Sequence, residues 1–206
     1  MYDLLKQPDV EPIALPDADL LFFQPVELGS PYAKLLQALI DATDWRQEEI
    51  TVYGKSYLQP RLSAWHGDLS YSYSGIRLEP QPWTATLLDL KTRVEALTGH
   101  EFNSVLLNYY RDQSDSMGMH SDDERELGPQ PAIASLSLGE ERTFLLKHKT
   151  RKDLKTTRLA LPAGSLLLMQ GDTQQYWRHG INKERHPCGP RVNLTFRAIK
   201  HEANSQ

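Results

Sequence analysis

The spacing of hydrophobic and polar residues changes along this chain, from a helical period to an alternating one. Leu35, Leu36, Leu39 and Ile40 form one helical stripe, with Ser30 as a natural N-cap and Pro31 at the first helical position. Trp83, Leu87, Leu90, Val94 and Leu97 form a second, starting at Pro82 and closing at Gly99. Between them, Ile50 to Tyr53 and Arg61 to Trp65 read as strand-like pieces around a Gly54-Lys55 turn. Tyr71-Ser72-Tyr73-Ser74-Gly75 alternates aromatic with small polar residues, as a strand showing two tyrosines to one face does. From Phe102 onward, short strands are expected over 102–110, 132–138, 142–148, 156–161, 164–170, 174–179 and 191–199. Turn residues at Gly139, Pro162-Ala163-Gly164, Gly171-Asp172 and Gly189-Pro190 separate them. This pattern predicts a mainly β fold, a sandwich or jelly roll over about 102–199 with bracing helices outside it. Residues 1–18, broken by Pro8, Pro12 and Pro16, read as a loosely held N-terminal arm, and 19–206 as a single domain.

With 206 residues, 39% of them hydrophobic, the chain can bury one full core. A net charge of -4 argues against a globally basic nucleic-acid coat but allows a local basic strip. Such a strip occurs between Lys147 and Arg158, where Lys147, Lys149, Arg151, Lys152, Lys155 and Arg158 cluster, and Arg61 is expected to extend it. Lysines also guard exposed strand edges; in an acidic chain the concentration favours phosphate contact. Cys188 is the one cysteine, so neither an intramolecular disulfide nor a zinc site of paired cysteines is available. With no charged-then-apolar leader and no apolar run of membrane length, a cytoplasmic monomer away from membranes is expected.

Candidate chemistry lies between Asn108 and Glu124. On an extended segment residues i and i+2 point the same way, so His120 and Asp122 would project together. An imidazole beside a carboxylate is half of a metal site that needs a second histidine from elsewhere; two histidines and one carboxylate form the face used by non-haem Fe(II) oxygenases. His66-Gly67-Asp68 has the same spacing but no suitable partner strand downstream, and reads as structural. After His120-Ser121-Asp122, Tyr176 to Gly180 offers His179 at a strand end. Twelve residues on begins a strand whose Val192, Leu194 and Phe196 alternate with Arg191, Asn193, Thr195 and Arg197. Such a polar face is ordinarily solvated. Two arginines on it would suit a dicarboxylate, because guanidinium pairs with carboxylate bidentately.

Together these motifs resemble the AlkB group of Fe(II)/2-oxoglutarate-dependent dioxygenases, most closely the branch with the animal DNA-repair demethylases. The resemblance runs from about 48 to 199 and takes in Asn108-x-Tyr110, Tyr71-x-Tyr73-Ser74-Gly75, Pro131 to Gly139 and Gly164 to Met169. It implies a double-stranded β-helix core and a nucleotide-recognition region at about 48–80. It implies Fe(II) held by His120, Asp122 and His179, and 2-oxoglutarate held by Arg191 and Arg197 with Asn108, Tyr110, Asn193 and Thr195. O2 would be the oxidant, and an N-alkylated base in DNA, or in RNA, the substrate, demethylated with release of formaldehyde, succinate and CO2. Tyr73 and the ring of His120 would sandwich that base, Tyr71 would supply a hydroxyl, and Asp123 and Glu124 would face its polar edge. Tyr53 would fill the gap left by the extruded base, while Arg61, Lys149, Arg151 and Lys152 would contact phosphates. The rival readings are the same chemistry on a protein or small molecule, and a jelly-roll binding module without catalysis.

Overall fold

The computed structural model describes residues 8–52, 55–69, 71–73 and 76–200. The chain runs β1 (Asp9–Pro12), β2 (Asp19–Gln24), α1 (Tyr32–Ala42), β3 (Glu49–Val52), β4 (Lys55–Leu58), β5 (Leu62–Gly67), β6 (Tyr71–Tyr73) and β7 (Ile76–Leu78). It continues through α2 (Ala85–Thr98), β8 (Ser104–Tyr110), β9 (Met117–His120), β10 (Ile133–Gly139), β11 (Arg142–His148) and β12 (Thr157–Leu161). The last elements are β13 (Leu166–Gln170), α3 (Thr173–Tyr176), β14 (Trp177–Ile181) and β15 (Arg191–Arg197). Strands β1-β2-β13-β10-β15-β8-β5 form an antiparallel seven-stranded sheet, and β12-β11-β14-β9 a four-stranded one. This is the expected mainly β, jelly-roll architecture. The hairpins β3-β4 and β6-β7 are separate two-stranded sheets.

Apolar residues divide into two cores. One lies between the large sheet and the helices, where Leu35 and Leu39 of α1 and Leu87, Leu90 and Val94 of α2 meet Val105, Leu136, Val192, Leu194 and Phe196. The other lies between the sheets and contains Trp65, Leu106, Ile133 and Met169 with Phe144, Leu146, Trp177 and Ile181. Strand β15 is therefore covered on both sides, and all seven of its residues are buried. Its apolar face supports the helices; its polar face looks into the space between the sheets.

Several boundaries differ from the sequence expectation. Ser30 caps nothing: Pro31 occupies the N-cap of α1 and makes no side-chain cap bond. Helix α2 starts at Ala85, after Pro82, because the Thr84 side chain accepts the Leu87 N–H; Gly99, at φ 72°, closes it as expected. Residues 173–176 form a helical turn, so the strand carrying His179 begins at Trp177. Strands β1, β2, β4, β7 and β9 are additional to those expected.

The described part of the arm, residues 8–18, is not loose. Strand β1 pairs with β2, which pairs with β13, and Pro12 is tolerated at the end of an edge strand because no ladder partner needs its missing N–H. Ile13, Leu15 and Ala18 pack against the inter-sheet core, and buried Trp177 donates its indole N–H to the Pro16 carbonyl at 2.9 Å. Deleting residues 1–18 should lower unfolding free energy by at least about 2 kcal/mol, through reduced apolar burial and an unmet indole N–H. Urea unfolding of the truncated and full chains measures this; equal midpoints would restore the loose arm.

Candidate metal and cosubstrate site

Strands β9 and β14 are antiparallel neighbours, and His120 and His179 are direct cross-strand partners. Their rings therefore share one face, with centroids 4.3 Å apart. Asp122, just past the end of β9, turns its carboxylate to the same point, so that one ligand atom from each residue lies within 4.8 Å of the others. Asp122 Oδ2 is 3.6 Å from His179 Nε2 and receives no hydrogen bond from the described residues, while Oδ1 accepts a 2.7 Å bond from Arg197 Nη2. His120 Nδ1 sits 2.9 Å from the Gly118 carbonyl; a proton shared there leaves the lone pair on Nε2. The Phe144 ring stacks on His179 at 5.2 Å.

Burial alone would raise the Asp122 pKa, but the Arg197 guanidinium and the two imidazoles hold it down to about 2. Burial, with His120 beside it, pushes His179 down to about 3. Burial also lowers His120, opposed by Asp122 and the Gly118 carbonyl. At neutral pH the cluster is thus two neutral imidazoles and one carboxylate, the protonation states that ligate a metal.

A cavity joins this cluster to the polar face of β15, lined by Tyr110, Met117, His120, Asp122, Arg191 and Arg197 among others. Arg191 is buried, with its guanidinium 5.2 Å from the Tyr110 ring centroid and Nη2 donating to Ser137 Oγ at 3.0 Å. Its Nε and Nη1 have no hydrogen-bond partner among the described residues. Burial pushes its pKa down to about 10, which still leaves it charged at neutral pH. A buried cation with unmet donors, across a cavity from a histidine-aspartate-histidine cluster, fits a carboxylate-bearing cosubstrate that also reaches a metal.

Other cosubstrate candidates divide. Thr195 Oγ1 donates to Asn193 Oδ1 at 2.9 Å, and Asn193 Nδ2 donates to Ser135 Oγ at 2.8 Å and the Leu136 carbonyl at 3.0 Å. These residues line the cavity while bonded to one another. The Tyr110 hydroxyl lies 3.7 Å from Met117 Sδ. Asn108 is buried beneath them, its Oδ1 accepting a 2.7 Å bond from Arg61 Nε. Arg197, expected at the metal-proximal end of the cosubstrate, grips the metal-facing aspartate. Ser135 and Ser137 were not singled out by sequence, although their alternation within Ile133–Gly139 places both opposite the polar face of β15.

The substrate candidates are more scattered. Arg61 does not extend the basic strip: it is 6% exposed and points inward to Asn108, because the register of β5 on β8 puts Ser63 opposite Asn108. Lys149 Nζ bonds Asp123 Oδ2 at 2.8 Å and the Gln174 carbonyl at 2.8 Å, so two residues expected to meet the substrate separately are joined. Arg151 pairs with Asp153 at 2.6 Å, whereas Lys152 is exposed and Glu124 partly buried. Tyr53 lies outside the described residues, and Tyr71 and Tyr73 are described only as backbone of β6. His66 is buried with Nδ1 at 2.8 Å from the Pro82 carbonyl, a structural histidine as expected.

This fold and this cluster define a class. The chain matches the 2OG-Fe(II) oxygenase superfamily over residues 30–197 and belongs to it. It is 44% identical over 173 residues to the mouse alpha-ketoglutarate-dependent dioxygenase alkB homolog 3, covering 80% of this chain and 60% of that one. It is 42% identical over 158 residues to the human DNA oxidative demethylase ALKBH2, covering 73% of this chain and 60% of that one. The chain thus spans about three fifths of the length of these curated relatives. The solved structure of OsALKBH1 superposes with a TM-score of 0.65 at 15% identity over 92% of this chain and all of that one, a likeness of fold. The family's metal is iron, its cosubstrates 2-oxoglutarate and O2, and the His120, Asp122 and His179 cluster is suited to the iron.

His179 also predicts a pH dependence. Its pKa falls from 6.5 unfolded to about 3 folded, so between those values the unfolded chain binds a proton that the folded chain does not. Stability of the metal-free protein should therefore decline as pH falls from about 6.5 towards 3. Asp122, held at about 2, weakens the fold further only below the ordinary carboxylate range. Urea midpoints across this range should fall less steeply for His179→Gln; equal slopes would contradict the buried neutral imidazole.

Proposed function

We propose that this chain is an oxidative demethylase of N-alkylated bases in nucleic acid, using Fe(II), 2-oxoglutarate and O2. The observation that carries the reading is buried Arg191, with unmet donors, facing the His120, Asp122 and His179 cluster across one cavity. The names of the relatives in the alkB group support the substrate class. His120, Asp122 and His179 would hold the iron; Arg191 would pair with the far carboxylate of 2-oxoglutarate, with Tyr110 against its guanidinium. Bound there, Fe(II) with 2-oxoglutarate and O2 would supply oxidation of an N-methyl carbon, the products being succinate, CO2, formaldehyde and the demethylated base.

The chain's own share is orientation and exclusion of water. Arg197 keeps Asp122 ionised and aimed, and Phe144 fixes the His179 ring. A base cannot reach a site between two sheets while stacked in a duplex, so it must be extruded or already single-stranded. The β3-β4 and β6-β7 hairpins, within the region at 48–80, would cover it, with Tyr53, Tyr71 and Tyr73 as contacts. Glu124 and Asp123 would face a cationic methylated base, and exposed Lys147, Lys152 and Lys155 the phosphates.

A panel of N-methylated oligonucleotides, single- and double-stranded, tests the substrate class: removal of one methyl group, dependent on iron and 2-oxoglutarate, is expected. His179→Ala should abolish it without unfolding the protein, and substantial residual activity at saturating iron would refute the ligand assignment. Replacing Lys147, Lys152 and Lys155 with alanine should lower the log–log salt slope of oligonucleotide binding by about 0.7–0.9 for each phosphate no longer neutralised. Replacing the acid-paired Lys149 and Arg151 should lower it less. An unchanged slope in the first variant would leave the strip a solvated edge.

A further inference from the structure

Two consecutive aspartates, Asp122 and Asp123, are tied to one glutamine, the first directly and the second through Lys149. Gln174 lies in the short α3 turn just before β14 and is 1% exposed. Its side-chain Oε1 accepts the Asp122 backbone N–H at 2.9 Å, and its Nε2 donates to Met169 Sδ at 3.6 Å, an arrangement that uses both ends of the amide. Its backbone carbonyl accepts Lys149 Nζ at 2.8 Å, and the same ammonium bonds Asp123 Oδ2 at 2.8 Å. Beside them, Ser121 Oγ donates to the Trp177 carbonyl at 2.8 Å. Strand β9 ends at His120, so no ladder continues to hold the segment that carries the two carboxylates. Side chains and two backbone carbonyls, those of Gln174 and Trp177, replace it.

We propose that Gln174 is a positioning residue that sets the metal-facing carboxylate through its side chain and the base-facing carboxylate through its main chain and Lys149. This rests on the iron and demethylase reading above. Arg197 fixes Asp122 at Oδ1 alone; a carboxylate gripped at one oxygen still swings unless its backbone is also fixed, and Oε1 of Gln174 fixes it. An apolar side chain at 174 would leave the buried Asp122 N–H unmet and free the peptide to turn. The two arms are separable: Oε1 acts on Asp122 and therefore on metal affinity, while Lys149 acts on Asp123 and therefore on the base. Lys149 belongs on this reading to the site and not to the phosphate strip.

The test is calorimetric titration of the full chain with Mn(II) alone, free of O2 turnover, on wild type, Gln174→Met, Gln174→Glu and Lys149→Met. Gln174→Met, nearly isosteric but without the acceptor, should weaken Mn(II) binding about 10–100-fold, the usual effect of removing a group that orients a ligand. Gln174→Glu keeps an oxygen within reach of the N–H and should restore most of that affinity. Lys149→Met should bind Mn(II) as wild type does, yet raise KM for a methylated oligonucleotide with kcat retained. Wild-type affinity in Gln174→Met overturns the proposal alone. So does unfolding of both Gln174 variants, which would make this a packing residue. A wild-type chain that binds no Mn(II) overturns the metal assignment beneath it as well.

Discussion

The ion pair between Arg197 and Asp122 is the interaction on which the rest of the site depends. Both side chains are 1% exposed, and their atoms meet at 2.7 Å. A buried charge without its partner is strongly destabilising, so each residue requires the other. The pair ties the end of β15, an interior strand of the large sheet, to the loop leaving β9, at the edge of the small one. It therefore sets where the two sheets meet and, by holding Asp122 ionised against burial, makes the same carboxylate a ligand position.

That tie explains an unusual strand. In most two-layer β proteins one face of a strand meets water. Here α1 and α2 seal the outer side of β15 with Val192, Leu194 and Phe196, and the small sheet covers its polar side. Polar groups confined there must find partners. Asn193 and Thr195 find them in β10 and each other, and Arg197 finds Asp122. Arg191 keeps two donor groups unmet among the described residues. The strand grades from structural polarity to binding polarity along its length, with the cavity where its own partners run out.

Much of this was legible in the residues. The alternation of Arg191 to Arg197 and the spacing of His120 and Asp122 placed those side chains on shared faces, because period-two side chains fix a face before any partner strand is known. The family resemblance joined them to His179, and the structure brings His120, Asp122 and His179 together. What stayed hidden was long-range pairing. Pro8, Pro12 and Pro16 suggested a loose arm, yet β1 has an edge position where proline is harmless and a neighbour in β2. Arg61 looked like a surface cation, and only the register of β5 against β8 turns it towards Asn108. Lys149 and Asp123 are 26 residues apart and carry opposite charges, so sequence alone assigned each its own partner where the fold joins them to one another. Gln174 had no signal: one helical turn interrupts what alternation presented as a continuous strand.

The central claim is that the polar face of β15 and the His120, Asp122 and His179 cluster bind one chelate between them. Anaerobic absorption spectroscopy tests it most directly, since a 2-oxo acid chelating protein-bound Fe(II) produces a visible charge-transfer band that neither component gives alone. The band should appear when 2-oxoglutarate is added to the Fe(II)-loaded chain, and Arg191→Met should shift its midpoint to much higher 2-oxoglutarate while leaving its shape unchanged. No band at saturating iron and 2-oxoglutarate, or a midpoint indifferent to Arg191, would contradict the account.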